Sequence, residues 1–221
     1  MNSKQFVNQL SQISFPDVFN PYRDLCSDHD HPESPAIRRF NLQQYLDIAL
    51  ACGIESIWLG RDCGYRGGRR TGIALTDEFH LEMLERHFGF GGITKATVGA
   101  PVKERTATEV WKIIREVNAK AFLWNVFPFH PYENGNPMTN RCHTAREFNG
   151  CRDLLFSLVE LLQPKRIIAI GIDAHKAVMQ LGFEVSAVRH PSYGGHIEFA
   201  SAIRKLYAAP CHRLPTKSCY P

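Results

Sequence analysis

The chain has 221 residues, of which 44% are hydrophobic and 22% are charged, and its formal net charge is +4 with the histidines neutral. The length suits one α/β domain, or at most two small ones, and the composition is that of an ordinary globular protein. No stretch approaches the roughly 20 apolar residues of a membrane span, which excludes that class. The mild positive charge is compatible with a polyanionic partner but does not by itself indicate one.

The N-terminal segment MNSKQFVNQLSQ lacks the apolar core of a secretory signal, so a cytoplasmic location is expected. None of the seven cysteines belongs to a C-x-x-C pair. We therefore expect free thiols, with little support for a zinc site or an iron–sulfur cluster. The final residues, 211–221, show no apolar periodicity and are predicted to be a disordered tail. The cysteines are Cys26, Cys52, Cys63, Cys142, Cys151, Cys211 and Cys219.

Apolar patterning in the first half predicts helices alternating with strands. Residues 1–40 are expected to form either an N-terminal cap or a loose arm. A helix is predicted over residues 41–51, followed by a buried strand over 54–59. Another helix is predicted over 76–87, where Asp77 and Glu78 suit the positive end of the helix dipole. The segment from Thr106 to Glu109 has the pattern of a capping box before a further helix.

The second half continues the alternation. It contains a predicted strand over 121–126, a leucine-rich helix that ends at Pro164, a strand over 166–170, a helix over 173–181, a strand over 183–188 and a last helix over 195–207. We find no internal repeat and no linker. This order predicts a three-layer α/β/α fold with a mostly parallel central sheet, in a single domain over residues 1–210.

Three loops of unusual composition follow predicted strands. They span residues 60–72, 125–137 and 189–195. In sheets of this kind the ligand lies beyond the carboxyl ends of the strands. The loops are therefore expected to bring an acid, an amide and a histidine to one cleft, namely Asp62, Asn125 and His190.

Each of these residues also has a simpler explanation. Asp62 could cap its turn or pair with a neighbouring arginine, Asn125 could be a turn residue, and His190 could be structural. The glycines and arginines of residues 67–70 could form a solvated surface loop or an anion-binding nest, although the P-loop pattern is absent. What favours the functional interpretation is that all three loops occur together.

The three loops resemble motifs of the uracil-DNA glycosylase superfamily. Its members carry G-x-[DN]-P-[YG] after the first core strand, and residues 60–64, GRDCG, match at both glycines and the acid. They carry H-P-S after the last core strand, and residues 190–192 match it fully. Between the two, a strand ends in an asparagine that reads the base, where this chain has Asn125. The resemblance covers residues 40–207 and implies a uracil-DNA glycosylase-like fold.

The resemblance implies a DNA glycosylase that flips a pyrimidine into a pocket and hydrolyses its N-glycosidic bond, leaving an abasic site. Bond cleavage builds positive charge on the sugar and negative charge on the base. Asp62 would stabilise the sugar cation and orient or deprotonate the attacking water, and His190 would donate a hydrogen bond to the departing base. Asn125 would read the Watson–Crick edge. A monofunctional, monomeric enzyme without cofactor or metal, acting on single- or double-stranded DNA, is expected.

The resemblance also suggests the residues around this centre. Tyr193 would fill the gap that a flipped base leaves in the stack. The aromatic second loop, with Phe127, Phe129, His130 and Tyr132, could contribute to the pocket or belong to the core. Expected base contacts are Gly60, Arg61, Gly64, Tyr65, Leu75 and Asn125, and expected DNA contacts are Arg66, Arg69, Arg70, Arg189, Ser192 and Tyr193.

Several positions depart from the family pattern. Cys63 replaces the usual proline, which predicts a less rigid loop. Gly64 stands where the most uracil-selective members place a tyrosine against the 5-methyl position, and Tyr65 beside it could still block that side. Leu75 replaces the usual stacking aromatic. The cysteines of the iron–sulfur branches are missing. An open wall at Gly64 predicts that the target is uracil or a bulkier modified cytosine, as in the DNA of some phages.

Two other classes of function remain open. One is a catalytically idle relative that binds DNA. The other is a small α/β hydrolase or transferase that acts on free nucleotides and uses the same cleft. The run from Asp28 to His31 could also bind a metal ion, although the prolines nearby are typical of an ordinary loop.

Overall fold

A computed structural model describes residues 1–209 of the chain. The predicted tail, with Cys211 and Cys219, lies outside these residues. The elements in chain order are α1 (Ser3–Gln12), β1 (Val18–Phe19), α2 (Ser34–Cys52), β2 (Ser56–Asp62), α3 (Gly68–Thr71), a 3-10 turn (Glu78–His80), α4 (Leu81–Phe88), α5 (Arg105–Glu116), β3 (Ala121–Phe127), β4 (His130–Pro131), α6 (Ala145–Asn149), α7 (Arg152–Leu162), β5 (Arg166–Ile170), α8 (Ile172–Gln180), β6 (Ser186–Val188) and α9 (His196–Ala208).

The central sheet consists of four parallel strands in the order β3-β2-β5-β6. Helices flank it, and β2, β3 and β5 are buried along most of their length and read as largely apolar runs. The predicted α/β fold with a mostly parallel sheet is confirmed. Within residues 1–209, no helix is both long enough and apolar enough to cross a bilayer.

Two predicted helix starts are wrong. The helix placed at 76–87 begins as a 3-10 turn at Glu78, and α4 follows only from Leu81. The acids Asp77 and Glu78 are buried and accept hydrogen bonds from backbone groups of residues 102 and 104. Asp77 is also the N-cap of the 3-10 turn, where its side chain accepts a hydrogen bond from the His80 N–H at 3.1 Å, and Glu78 lies in the first turn. The two acids therefore stand at the N-terminal end as expected, and they also tie it to residues 102 and 104.

The predicted capping box at Thr106 is also wrong. α5 begins one residue earlier, at Arg105, and its N-cap is Glu104, whose side chain makes no capping bond. The Asp77 carboxylate accepts a hydrogen bond from the Glu104 N–H at 2.6 Å, which sets where the chain enters the helix. Thr106 instead places its hydroxyl 3.4 Å from that of Ser192.

The strand predicted over 183–188 is shorter in the structure. Only Ser186–Val188 forms a strand, and it pairs with residues Ile168–Ile170 of β5. The helix predicted over 41–51 is longer than expected. α2 starts at Ser34, with Pro35 in its first turn, where a missing N–H is tolerated.

Residues 1–40 pack against the rest of the described chain. Phe6, Val7 and Leu10 of α1 are buried, and the ring of Phe6 lies 5.6 Å from that of Trp124 in β3. β1 pairs antiparallel with β4, which belongs to the second polar loop. The N-terminal segment therefore supports the loop that follows β3.

Two buried side chains tie the same segment to the glycine-rich loop after β2. Arg38 is fully buried, forms an ion pair with Asp30 and donates from Nε to the Arg70 carbonyl oxygen at 3.0 Å. The Tyr22 hydroxyl donates to the carbonyl oxygen of Gly72 at 2.8 Å. Gly72 has a φ of +72°, and a Cβ there would lie 2.7 Å from the Cβ of Arg38, so glycine is required on both counts.

The acid–histidine run at residues 28–31 is occupied by protein contacts. Asp30 pairs with Arg38, and His29 lies 3.4 Å from both the thiol of Cys26 and the guanidinium of Arg69. Burial and nearby arginines lower the pKa of His29 to about 4, so its ring is neutral. Among residues 1–209, no group of three His, Cys, Asp or Glu side chains is placed to hold a metal ion.

Candidate active site

The acid, amide and histidine predicted from the three loops lie at the carboxyl ends of the strands of the sheet. Asp62 is the last residue of β2. Asn125 lies opposite Gly60 in the pairing of β2 with β3. His190 follows β6, and its ring is beside Gly171, which follows β5.

Both carboxylate oxygens of Asp62 accept hydrogen bonds. One accepts from Arg61 Nε at 2.6 Å, and the other accepts from His143 Nδ1. The Asp62 side chain is only 6% exposed. His143 follows no predicted strand and belongs to no motif of the sequence, so sequence reasoning missed it. Its ring is tilted against Phe127 and stacked on Phe148, with centroids 5.3 and 5.7 Å away.

Arg61 joins the end of β2 to the start of α8. Besides its bond to Asp62, it donates from Nη1 to Asp173 at 2.7 Å. Burial lowers the pKa of Arg61, but its hydrogen bonds and charge interaction with Asp62, with help from Asp173, outweigh this and raise it overall. The guanidinium is therefore permanently charged and lies against the carboxyl group of Asp62.

A surface cleft of about 330 Å³ opens beside this pair. Its lining includes Arg61, His143 and, from α8, Asp173 and Lys176. The cleft is therefore bordered by groups that contact the carboxylate of Asp62.

The surroundings of His190 define its protonation state. Its Nδ1 accepts a hydrogen bond from the Ser192 N–H at 3.2 Å, so a neutral ring carries its proton on Nε2. Burial, and then the charge of Arg61, lower the pKa of His190 below 6.5. His190 thus presents a neutral N–H donor at neutral pH.

Asn125, Gly60 and Leu75 meet at one point. A Cβ on Gly60 would overlap the amide of Asn125 and lie 3.0 Å from Leu75. Asn125 is buried, and its amide contacts Cys63 in either orientation. The better one lets its oxygen accept from the Cys63 N–H at 3.2 Å and its nitrogen donate to the Trp124 carbonyl oxygen at 3.3 Å. Three of the expected base contacts are therefore adjacent.

Cys63 does not loosen its loop, contrary to expectation. Its N–H donates to the Phe129 carbonyl oxygen at 3.1 Å, a bond that proline could not make. Its own carbonyl oxygen accepts from His130 Nδ1 at 2.8 Å. Burial raises the pKa of the Cys63 thiol to about 12, so the thiol is neutral and unreactive. The five cysteines within residues 1–209 form no disulfide.

The space beside Gly64 is filled, which corrects the expectation of an open wall. A Cβ on Gly64 or on Gly67 would overlap the carboxylate of Glu104. Burial, and then the negative charge of Asp77, raise the pKa of Glu104 to about 7, although Arg66 opposes the rise. An acidic side chain therefore lines this side of the loop. A carboxylate at Gly67 also argues against an anion nest there.

Arg69 and Arg70 are buried, with 1% and 8% exposure. The guanidinium of Arg69 lies 4.2 Å above the ring of Phe19, and that of Arg70 pairs with Glu78 at 3.2 Å. This placement does not fit the expected contact with DNA phosphates. The residues stabilise the loop from inside.

The remaining expected contacts differ in exposure. Arg66 is exposed, Arg189 pairs with Glu198 at the surface, and Tyr193 is 96% exposed with a φ of +52°. Tyr65 and Ser192 are partly buried. In the second loop, Phe127, Phe129 and His130 are fully buried and belong to the core, while Tyr132 is half-buried.

Comparisons with known proteins agree with this geometry. A family model described as the Uracil DNA glycosylase superfamily matches residues 59–207. No curated protein matches the chain. The crystal structure of wild-type SMUG2 from Pedobacter heparinus is similar in fold, with a TM-score of 0.62 and 14% sequence identity over 95% of this chain and 100% of that one. Since the family model spans more than half of the sequence, including the loops that follow β2, β3 and β6, the chain belongs to the uracil-DNA glycosylase superfamily.

Proposed function

We propose that the protein is a monofunctional DNA glycosylase that excises a pyrimidine base and leaves an abasic site. The observation that carries the proposal is the set of polar groups at the carboxyl ends of the strands. A buried carboxylate ends β2, a buried amide lies near the end of β3, and a neutral histidine donor follows β6. A chain of this family with all three groups in place has what N-glycosidic cleavage requires.

The proposed chemistry begins with the charge that bond cleavage creates. As the bond to the base breaks, its electron pair leaves with the base, and the sugar becomes an oxocarbenium-like cation. The Asp62 carboxylate, positioned by its hydrogen bond from Arg61, stabilises that cation electrostatically. His190 donates from Nε2 to the oxygen of the departing base and stabilises its negative charge without a proton transfer.

Base recognition is assigned to the buried group around Asn125. Its amide, with one donor and one acceptor face, suits the Watson–Crick edge of a pyrimidine once the amide releases its bonds within the protein. Leu75 provides an apolar surface next to it. A leucine holds a base by contact area and not by ring stacking, so the pocket tolerates different pyrimidines.

The target is either uracil or a modified cytosine, and Glu104 bears on the choice. Its carboxyl lies where a side chain on Gly64 would stand. A carboxylate accepts hydrogen bonds, so this wall favours a base that presents an amino or hydroxyl donor towards it. Modified cytosines present such donors, and we propose them, including those of modified phage DNA, as targets beside uracil.

The test is an assay for abasic sites. Single- and double-stranded oligonucleotides would carry uracil, thymine opposite guanine, cytosine or 5-hydroxymethylcytosine at one position. We expect alkali-labile breaks at one of the modified positions or at uracil, and their loss in Asp62→Ala and His190→Ala. Asp153→Asn, which changes an exposed acid of α7, serves as the matched control and should cut normally.

Two results would contradict the proposal. Tight binding to DNA without breaks on any substrate would identify an idle DNA-binding relative. Turnover of free nucleotides without action on DNA would identify a small-molecule enzyme.

The role of the wall is tested separately. Because a side chain at Gly64 must displace Glu104, Gly64→Tyr is compared with Gly64→Tyr combined with Glu104→Ala. We expect both to lose action on 5-hydroxymethylcytosine by more than about tenfold relative to uracil. Unchanged preference in both variants would show that this wall does not face the base.

A further inference from the structure

The imidazole ring of His143 contacts the carboxylate of Asp62, which the proposed reaction needs. Its Nδ1 contacts Asp62, which accepts a second hydrogen bond from Arg61. An ionised carboxylate only accepts hydrogen bonds, so Nδ1 of His143 must carry a proton. In the neutral ring, the lone pair then lies on Nε2.

The structure leaves that second nitrogen unengaged. Within residues 1–209, Nε2 of His143 has no hydrogen-bond partner, and the side chain is 12% exposed. The ring lines the 330 Å³ cleft, together with Arg61 and Asp173. A water molecule in the cleft can therefore approach Nε2, while both oxygens of Asp62 already have donors.

The segment around His143 is firmly held. Thr144 caps α6 in a reciprocal capping box with Glu147. Glu147 in turn forms a two-pronged ion pair with Arg141, at 2.9 and 2.7 Å. The rings of Phe127 and Phe148 fix the plane of the imidazole. Such fixed orientation is what a proton-transfer group needs, since small displacements reduce its rate.

We propose that His143 is the general base of the reaction, and that Asp62 orients it and stabilises the sugar cation. This inference rests on the proposed glycosylase function. The bond from sugar to base breaks first, and its electron pair leaves with the base. A water oxygen then forms a bond to C1′ while one water proton moves to Nε2 of His143. The resulting imidazolium is stabilised by the Asp62 carboxylate and returns its proton to solvent or to the base anion.

The experiment separates a base from a residue that only positions Asp62. In His143→Asn, the amide nitrogen can stand near the place of Nδ1 and keep a donor on Asp62, but no basic nitrogen remains. His143→Ala removes both. Single-turnover rates on the best substrate would be measured for both variants, with and without added imidazole. His31→Asn, which changes a histidine that pairs with Glu33 away from the cleft, is the matched control.

We expect both His143 variants to be slowed by about 100-fold or more, which is the range of general base catalysis. Imidazole should restore part of the rate of His143→Ala and none of that of Asp62→Ala. Both variants should remain folded, and their affinity for an abasic-site duplex should match that of the wild type.

Other outcomes overturn the inference. If His143→Asn keeps a rate within about threefold of the wild type, His143 only positions Asp62. If imidazole restores nothing to a folded His143→Ala that still binds abasic DNA, a structural role is indicated. A wild type that produces no abasic sites would refute the proposed function, and the inference with it, which is a different result from either of these.

Discussion

Replacement of Glu104 by glutamine is expected to make the protein less sensitive to alkaline pH. The carboxyl of Glu104 lies against Gly64 and Gly67, in a partly buried position near the negative charge of Asp77. Burial raises its pKa from the usual 4.5 to about 7. Glutamine has nearly the same shape but cannot ionise, so the substitution removes the titration and keeps the packing.

The sign and size of the effect follow from proton linkage. Between pH 4.5 and 7 the folded protein holds a proton on Glu104 that the unfolded chain has lost, so stability falls as pH rises through this window. Above the folded pKa the full penalty is present. The difference between 4.5 and about 7 corresponds to at most about 3 kcal/mol. Glu104→Gln should therefore exceed the wild type by up to that amount at pH 8 and match it near pH 4.5.

The measurement is urea denaturation of both proteins at several pH values from 4.5 to 8.5. Glu109→Gln, one turn further along α5, is the matched control for loss of a negative charge on this helix. A stability difference between Glu104→Gln and the wild type that stays constant over the whole pH range would refute the reasoning.

Three further predictions concern the core, the base pocket and the surface. Arg38→Met should lower the free energy of unfolding by about 3–5 kcal/mol in urea denaturation, because it leaves the buried Asp30 carboxylate unpaired; a loss below 1 kcal/mol would contradict this. Gly60→Ala places a Cβ against the amide of Asn125 and should cost about 1–3 kcal/mol and most of the base excision; full activity would show that the amide is not at the pocket. Tyr193→Ala should reduce excision from duplex DNA much more than from single strands, because an exposed ring at this loop can fill the vacated stack; equal losses on both substrates would exclude the wedge.

The parts of the fold that could be predicted are those whose signal lies within a short stretch of sequence. The apolar runs that form β2, β3 and β5 are buried on both faces, so they stand out in the sequence without knowledge of their partners. Parallel strands align their carboxyl ends, and this alone places Asp62, Asn125 and His190 on one edge. The order of elements and the family resemblance were therefore accessible from sequence.

Long-range contacts explain what the sequence did not reveal. His143 is 81 residues from Asp62 along the chain and comes from a segment without periodicity. Glu104 fills the space beside Gly64, and its N–H is held by Asp77, which is 27 residues away along the chain. A glycine in a motif indicates that no side chain is attached there, but it does not show whether another part of the chain occupies the space.

The inward direction of Arg69 and Arg70 bears on how the protein would search DNA. For duplex DNA, each neutralised phosphate contributes about −0.9 to the slope of log affinity against log salt concentration. Four arginines on phosphates would give a slope of about −3.6, whereas Arg66 and Arg189 alone would give about −1.8. Since two of the four guanidinium groups are buried, counterion release would supply little of the affinity. Affinity would then persist as salt is raised, and sliding along undamaged DNA would be brief, so that the pocket around Asn125, more than the charge of the loop, determines where the protein stops.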